Sequence, residues 1–113
     1  MSATISMRQT GDVSLVDVGG KITLGDGSVA VRDAVKKLVA DGTRKIVLNL
    51  GDVTYIDSSG IGELVSAFTT VSNSGGNLKL LNLTKRVQDL LQITKLYTVF
   101  EVFNDEATAV ASF

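Results

Sequence analysis

Residues 44–68, RKIVLNLGDVTYIDSSGIGELVSAF, decide how this chain folds. Ile46, Val47, Leu48 and Leu50 form a nearly continuous apolar run, the pattern of a central strand covered on both faces. Further on, Ile61, Leu64, Val65 and Phe68 take up the spacing of one helical face. The stretch between them, GDVTYIDSSG, reads as a connecting loop whose last β-like part ends at Ile56. A buried strand leading into an amphipathic helix is the opening half of a β-α-β crossover, so a largely parallel sheet is expected.

Working outward toward the N-terminus, Ile5–Thr10 and Val13–Val18 read as short strands, joined as a hairpin by the turn residues Gly11 and Asp12. After Gly19, Gly20 and the loop KITLGDG, Val31, Ala34, Val35 and Leu38 mark a helix, and Gly42 stands where its C-cap belongs. In the other direction, Ser72–Gly76 stops the second helix and LKLLNL is a further strand. Thr84 then caps a helix carrying Val87, Leu90 and Leu91, VFEVF is a short strand, and a last helix starts near Asp105. The expected fold is α/β: residues 1–113 form one domain of order β-β-α-β-α-β-α-β-α, its mixed sheet largely parallel.

Composition narrows the chemistry. With 113 residues, 44% of them hydrophobic, the chain can build a core without disulfides or a structural metal. It contains neither cysteine nor histidine, which removes thiol nucleophiles, the commonest general base and the usual transition-metal ligands. A net charge of -1 with scattered basic residues argues against nucleic acid as a partner. The opening MSATISMRQT lacks a signal-peptide pattern and no run of about 18 apolar residues occurs, so a cytoplasmic protein without membrane insertion is expected.

The segment VTYIDSSGIGELV carries the most informative chemistry. A helix N-terminus exposes unpaired N–H groups and about half a positive charge, so Ser58 or Ser59 there can cap the helix, and a phosphate on that hydroxyl is electrostatically welcome. Gly60 and Gly62 would let a partner's backbone approach closely. As a catalytic nucleophile either serine lacks a histidine base. GDGSVA competes, since Gly25, Gly27 and Ala30 fit a dinucleotide-binding pattern, but Asp26 sets a negative charge where pyrophosphate would lie. Asp52, Asp57 and Glu63 lack calcium-loop spacing; Asp52 suits a turn, and Glu63 suits a first helical turn where the dipole favours a carboxylate. No catalytic residue, cofactor or metal is expected.

The order of elements together with IVLNLGDVTYIDSSGIGELV resembles the anti-sigma factor antagonist, or STAS domain, family, from about Ile5 to the last helix. GGNLKLLNLTKRVQDLLQITKLYTVFEVF continues the resemblance. It implies that Ser58 is the phosphoacceptor, with Ser59 the alternative. It also implies a partner-binding surface drawn from Thr23, Asp26, Asp57, Ser58, Ser59, Gly60, Ile61 and Gly62. The implied partners are an anti-sigma factor that is also a serine protein kinase, and a serine phosphatase: the unmodified domain binds the kinase and phosphorylation expels it. Where the family often carries an acidic G-E-L-D-like loop, this chain reads Gly20-Lys21-Ile22-Thr23 and its loop is longer. The alternatives are a constitutive STAS scaffold in a transport or stress-signalling assembly, and a nucleotide binder using the Gly25–Gly27 loop.

Overall fold

A computed structural model describes residues 3–113. Strand β1 (Ala3–Thr10) turns at Gly11 and pairs antiparallel with β2 (Val13–Ile22). The chain then alternates α1 (Asp26–Ala40), β3 (Lys45–Ile56), α2 (Ser58–Asn73), β4 (Asn77–Leu81), α3 (Lys85–Ile93), β5 (Val102–Phe103) and α4 (Glu106–Ala111). The five strands lie in the sheet in chain order, and every pair after the first is parallel. The expected α/β order is observed. Among the described residues no helix is long and apolar enough to cross a membrane.

Successive right-handed crossovers that advance in one direction set their helices on the same face of a sheet. Accordingly α1 (Val31, Val35), α2 (Ile61, Leu64, Val71) and α3 (Val87, Leu91) pack on one face against Val16, Ile22, Ile46, Leu48 and Ile56. A smaller cluster of Val13, Leu15, Val47 and Leu81 occupies the opposite face, where Ala109 of α4 covers it. Leu48 is fully buried in the middle strand, as its sequence neighbourhood implies. Gly42, at φ +89, follows the end of α1 in the left-handed conformation that favours glycine.

Three expectations need correction. GDVTYIDSSG is not mainly a loop: β3 continues to Ile56 because β2 continues to Ile22 and supplies pairing partners, with Gly19 beside Asp52, Lys21 beside Tyr55 and Ile22 beside Ile56. Two register shifts in this pairing break the two-residue alternation, leaving only Val53 and Ile56 buried in that stretch, so it lacks a strand's usual sequence pattern. Asp52 is therefore a strand residue and not a turn residue. In VFEVF only Val102 and Phe103 pair with β4, while Phe100 leaves the sheet to meet Phe68 edge to face with ring centroids 5.5 Å apart.

Candidate functional site

The loops at the carboxyl ends of β2 and β3 meet on one rim of the sheet, and glycines make that meeting possible. A Cβ on Gly27, in the first turn of α1, would run into the carbonyl oxygen of Lys21; one on Gly60, in the first turn of α2, would run into that of Ile22. Both helix N-termini thus press onto the last two residues of β2. The contact sets the β2–α1 loop, with Thr23, and Asp26 at the start of α1 on the same rim as Asp57 and Ser58.

Asp57 is the N-cap of α2, with extended backbone and a carboxylate that accepts the Gly60 N–H at 2.9 Å. Neither serine caps the helix, contrary to the simplest reading of DSSG. The reason is positional: Ser58 and Ser59 are the first two helical residues, and the side chain that can curl back onto the third residue's N–H belongs to the residue before them. Ser58 is exposed and Ser59 half-buried. With Asp57 supplying the cap, the Ser58 hydroxyl stands uncommitted at the rim.

The structure divides the other expected contact residues. Asp26, Gly62 and Ser58 are exposed, and Thr23 is partly so. Gly60 and Ile61 are buried within the domain, so they support the site from beneath and offer a partner no direct contact. Gly60 does permit close approach of a backbone, but that backbone is the domain's own β2; only Gly62 is left open to solvent. The Thr23 carbonyl accepts the Ser28 N–H at 3.1 Å and the Ser28 hydroxyl at 2.9 Å, which ties the loop down. In GDGSVA, Gly25 takes φ +98 ahead of α1 and Gly27 fits against Lys21, so both glycines have structural work.

Glu63 also departs from its expected place. It is the sixth residue of α2, beyond the first turn, and is 6% exposed, its Oε1 accepting Arg32 Nη2 at 2.8 Å and Nε at 3.2 Å across the α1–α2 contact. Its other carboxylate oxygen has no hydrogen-bond partner. Asp52, Asp57 and Glu63 do not converge: no group of three or more acidic side chains that could hold a metal ion occurs among the described residues.

Three residues at the rim were not singled out by sequence reasoning. Leu24, in the β2–α1 loop, is 81% exposed, and an apolar residue within an otherwise polar loop was its available signal. Tyr55 and Arg86 form a stacked pair, the guanidinium carbon 4.6 Å from the ring centroid, and Arg86 Nε donates to the Ile56 carbonyl at 3.1 Å. Some thirty residues separate them in sequence, and no local pattern announces the contact.

Residues 4–109 match the STAS domain family. The chain belongs to that family. Over 102 residues this STAS domain is 31% identical to the anti-sigma-B factor antagonist of Bacillus subtilis (strain 168), covering 90% of this chain and 92% of that protein. An anti-sigma factor antagonist from Mycobacterium paratuberculosis has the same fold, with a TM-score of 0.85 at 22% identity over 98% of this chain and 93% of the other. The Bacillus cell fate determinant SpoIIAA in its phosphorylated form gives a TM-score of 0.74 at 17% identity over 96% and 97% of the two chains. At those identities the two structures speak for the fold alone.

Proposed function

We propose that this STAS domain is a cytoplasmic anti-sigma factor antagonist working as a phosphorylation-controlled binding switch. With Ser58 unmodified, the rim formed by Thr23, Leu24, Asp26, Asp57, Ser58, Ser59 and Gly62 docks onto an anti-sigma factor that is also a serine kinase. Kinase-bound ATP then transfers its γ-phosphoryl group to Ser58 Oγ; the bond to ADP breaks, the hydroxyl proton leaves to a base on the kinase, and the modified domain is released. A serine phosphatase restores the hydroxyl by hydrolysis to inorganic phosphate. In this cycle the domain is ligand and substrate, and the catalytic groups belong to its partners.

The observation that carries this reading is the exposed Ser58 hydroxyl, left free because Asp57 caps α2 and held in place because Gly60 seats the helix on β2. Phosphorylation adds about -1.5 to -2 charges at this packed rim beside Asp57, which repels an acidic partner surface or fills the groove the partner requires, without any change of fold. A loss of about 3 kcal/mol weakens binding more than about a hundredfold.

To test it, the wild-type domain is used to capture the kinase from a cell extract. Wild type, Ser58→Ala and Ser59→Ala are then incubated with ATP and that kinase, and phosphate is located by peptide mass spectrometry. The expected outcome is phosphate on Ser58 in wild type and Ser59→Ala, none in Ser58→Ala, and permanent partner binding by Ser58→Ala. Undiminished phosphorylation of Ser58→Ala, or tight binding by a fully Ser58-phosphorylated domain, overturns the switch.

A further inference from the structure

Resting on the reading of Ser58 as phosphoacceptor, we propose that Arg86 is the domain's own receptor for the Ser58 phosphate, a positioning residue that holds the modified serine against the domain. Two contacts fix its guanidinium: the stack on Tyr55, at 4.6 Å, and the hydrogen bond from Nε to the Ile56 carbonyl, at 3.1 Å. Nε is spent on that bond, which leaves the two terminal nitrogens of the fork. Among the described residues Arg86 forms no ion pair, whereas its neighbour Lys85 is engaged with Asp89 at 3.3 Å. The guanidinium is thus a charge held in place without a counter-charge.

Its placement fits a phosphate on Ser58. The carbonyl that Arg86 grips belongs to Ile56, and Ser58 follows two residues later, within about 7 Å between α-carbons. The phosphate needs such a cation because the helix terminus is already partly occupied: the Gly60 N–H is taken by the Asp57 carboxylate at 2.9 Å, and that carboxylate is itself a like charge next to the modified residue. The planar fork of arginine matches phosphate oxygens in pairs, so a guanidinium already held by a ring and a carbonyl loses little freedom on closing that contact. Lys21 is another cation near this rim, in register beside Tyr55, but it is an exposed side chain with no comparable anchor. The terminal nitrogens of the fork would be occupied when Ser58 carries phosphate and open when it does not, so Arg86 makes the phosphorylated rim chemically distinct from the free one.

The test is independent of any kinase. Phosphoserine is installed at position 58 by genetic encoding in the wild-type sequence and in Arg86→Gln, Arg86→Lys and Lys21→Gln, with circular dichroism and thermal melts confirming that each folds. Phosphorus NMR then follows the second ionisation of the phosphate, which lies near about 6 for a free phosphoserine. A phosphate paired with Arg86 ionises at lower pH. Arg86→Gln is expected to raise the midpoint by about half a unit or more, Arg86→Lys by less because it keeps the charge and loses the fork, and Lys21→Gln by less than Arg86→Gln. Added salt should narrow the gap between wild type and Arg86→Gln. Equal midpoints in wild type and Arg86→Gln, or a larger shift in Lys21→Gln, overturn the assignment. Because the phosphate is placed chemically, this result is separate from whether the captured kinase modifies Ser58: failure of the kinase assay refutes the switch, and failure of the titration refutes the receptor.

Discussion

Gly60 and Gly62 lie two residues apart in α2, so their replacement by alanine isolates tertiary packing from helix propensity. In a helix interior alanine is favoured over glycine by about 1 kcal/mol. At Gly62 a new Cβ meets nothing within 4 Å, so Gly62→Ala is expected to stabilise the domain by about 0.5 to 1 kcal/mol. At Gly60 the same carbon collides with the Ile22 carbonyl oxygen and with Ile56 Cγ1. The carbonyl belongs to a paired strand and cannot swing away as a flexible side chain would. Overpacking of this kind costs about 3 kcal/mol, and the propensity gain offsets about 1, for a net loss near 2 kcal/mol. The two variants should therefore differ by about 3 kcal/mol, which at a urea slope of about 1.5 kcal/mol per molar separates their midpoints by about 2 M. Urea melts followed by circular dichroism measure this directly. Midpoints within about 0.3 M of each other, or Gly62→Ala the less stable, would refute the seating of α2 on β2 by Gly60. The functional corollary is that Gly62→Ala, although more stable, should bind the captured partner more weakly, because its new methyl group stands on the exposed rim.

The capping assignment makes a second prediction: Asp57→Ala should cost about 0.5 to 2 kcal/mol, while Ser58→Ala stays within about 0.5. Equal losses in denaturant melts would return the cap to the serine. A third concerns acid stability. Arg8 donates to Asp17 at 2.6 Å and to Glu106 at 2.8 Å, and these hydrogen bonds hold both carboxyls below their usual range. Groups depressed in the folded state stabilise it above their unfolded values, near about 4, and that contribution disappears as pH falls through the folded values. Arg8→Gln should therefore be less stable than wild type at neutral pH, by less than about 1 kcal/mol since Arg8 and Glu106 are well exposed to solvent and Asp17 partly so, and the gap should close below about pH 4. A gap that persists unchanged at pH 2 would show that Arg8 acts through packing alone.

Much of the fold was legible in the chain because it is encoded in local periods. The apolar run at Ile46–Leu50 announced a strand buried on both faces, and the spacings at Val31–Leu38 and Ile61–Phe68 announced the helices that cover one of them. Gly42, Thr84 and Asp105 marked helix ends that the structure keeps, Thr84 accepting the Val87 N–H and Asp105 the Thr108 N–H. Each of these signals depends on residues within a turn or two of one another, which is why sequence alone could state them. The family followed from the same combination, and DSSG at a strand-to-helix junction directed attention to Ser58.

Tertiary structure decided the rest, for one physical reason: the remaining features depend on which distant backbones come within contact distance. The extension of β3 through Gly51–Ile56 exists because bulged β2 runs alongside it, and no period in that segment reveals a partner some thirty residues earlier. Gly60 and Gly62 are chemically identical in sequence, yet one is pressed against Ile22 and the other faces solvent. Glu63 looked like a carboxylate drawn to a helix dipole and instead meets Arg32 of α1 across the packed helices. Arg86 became part of the Ser58 rim only when α3 folded over the end of β3 and set its guanidinium on Tyr55 and the Ile56 carbonyl. Local sequence determined most of the strands and helices and the caps at Thr84 and Asp105; the close approach of β2, α2 and α3 determined how far β3 runs, which residue at the rim is buried, and where Arg86 is anchored.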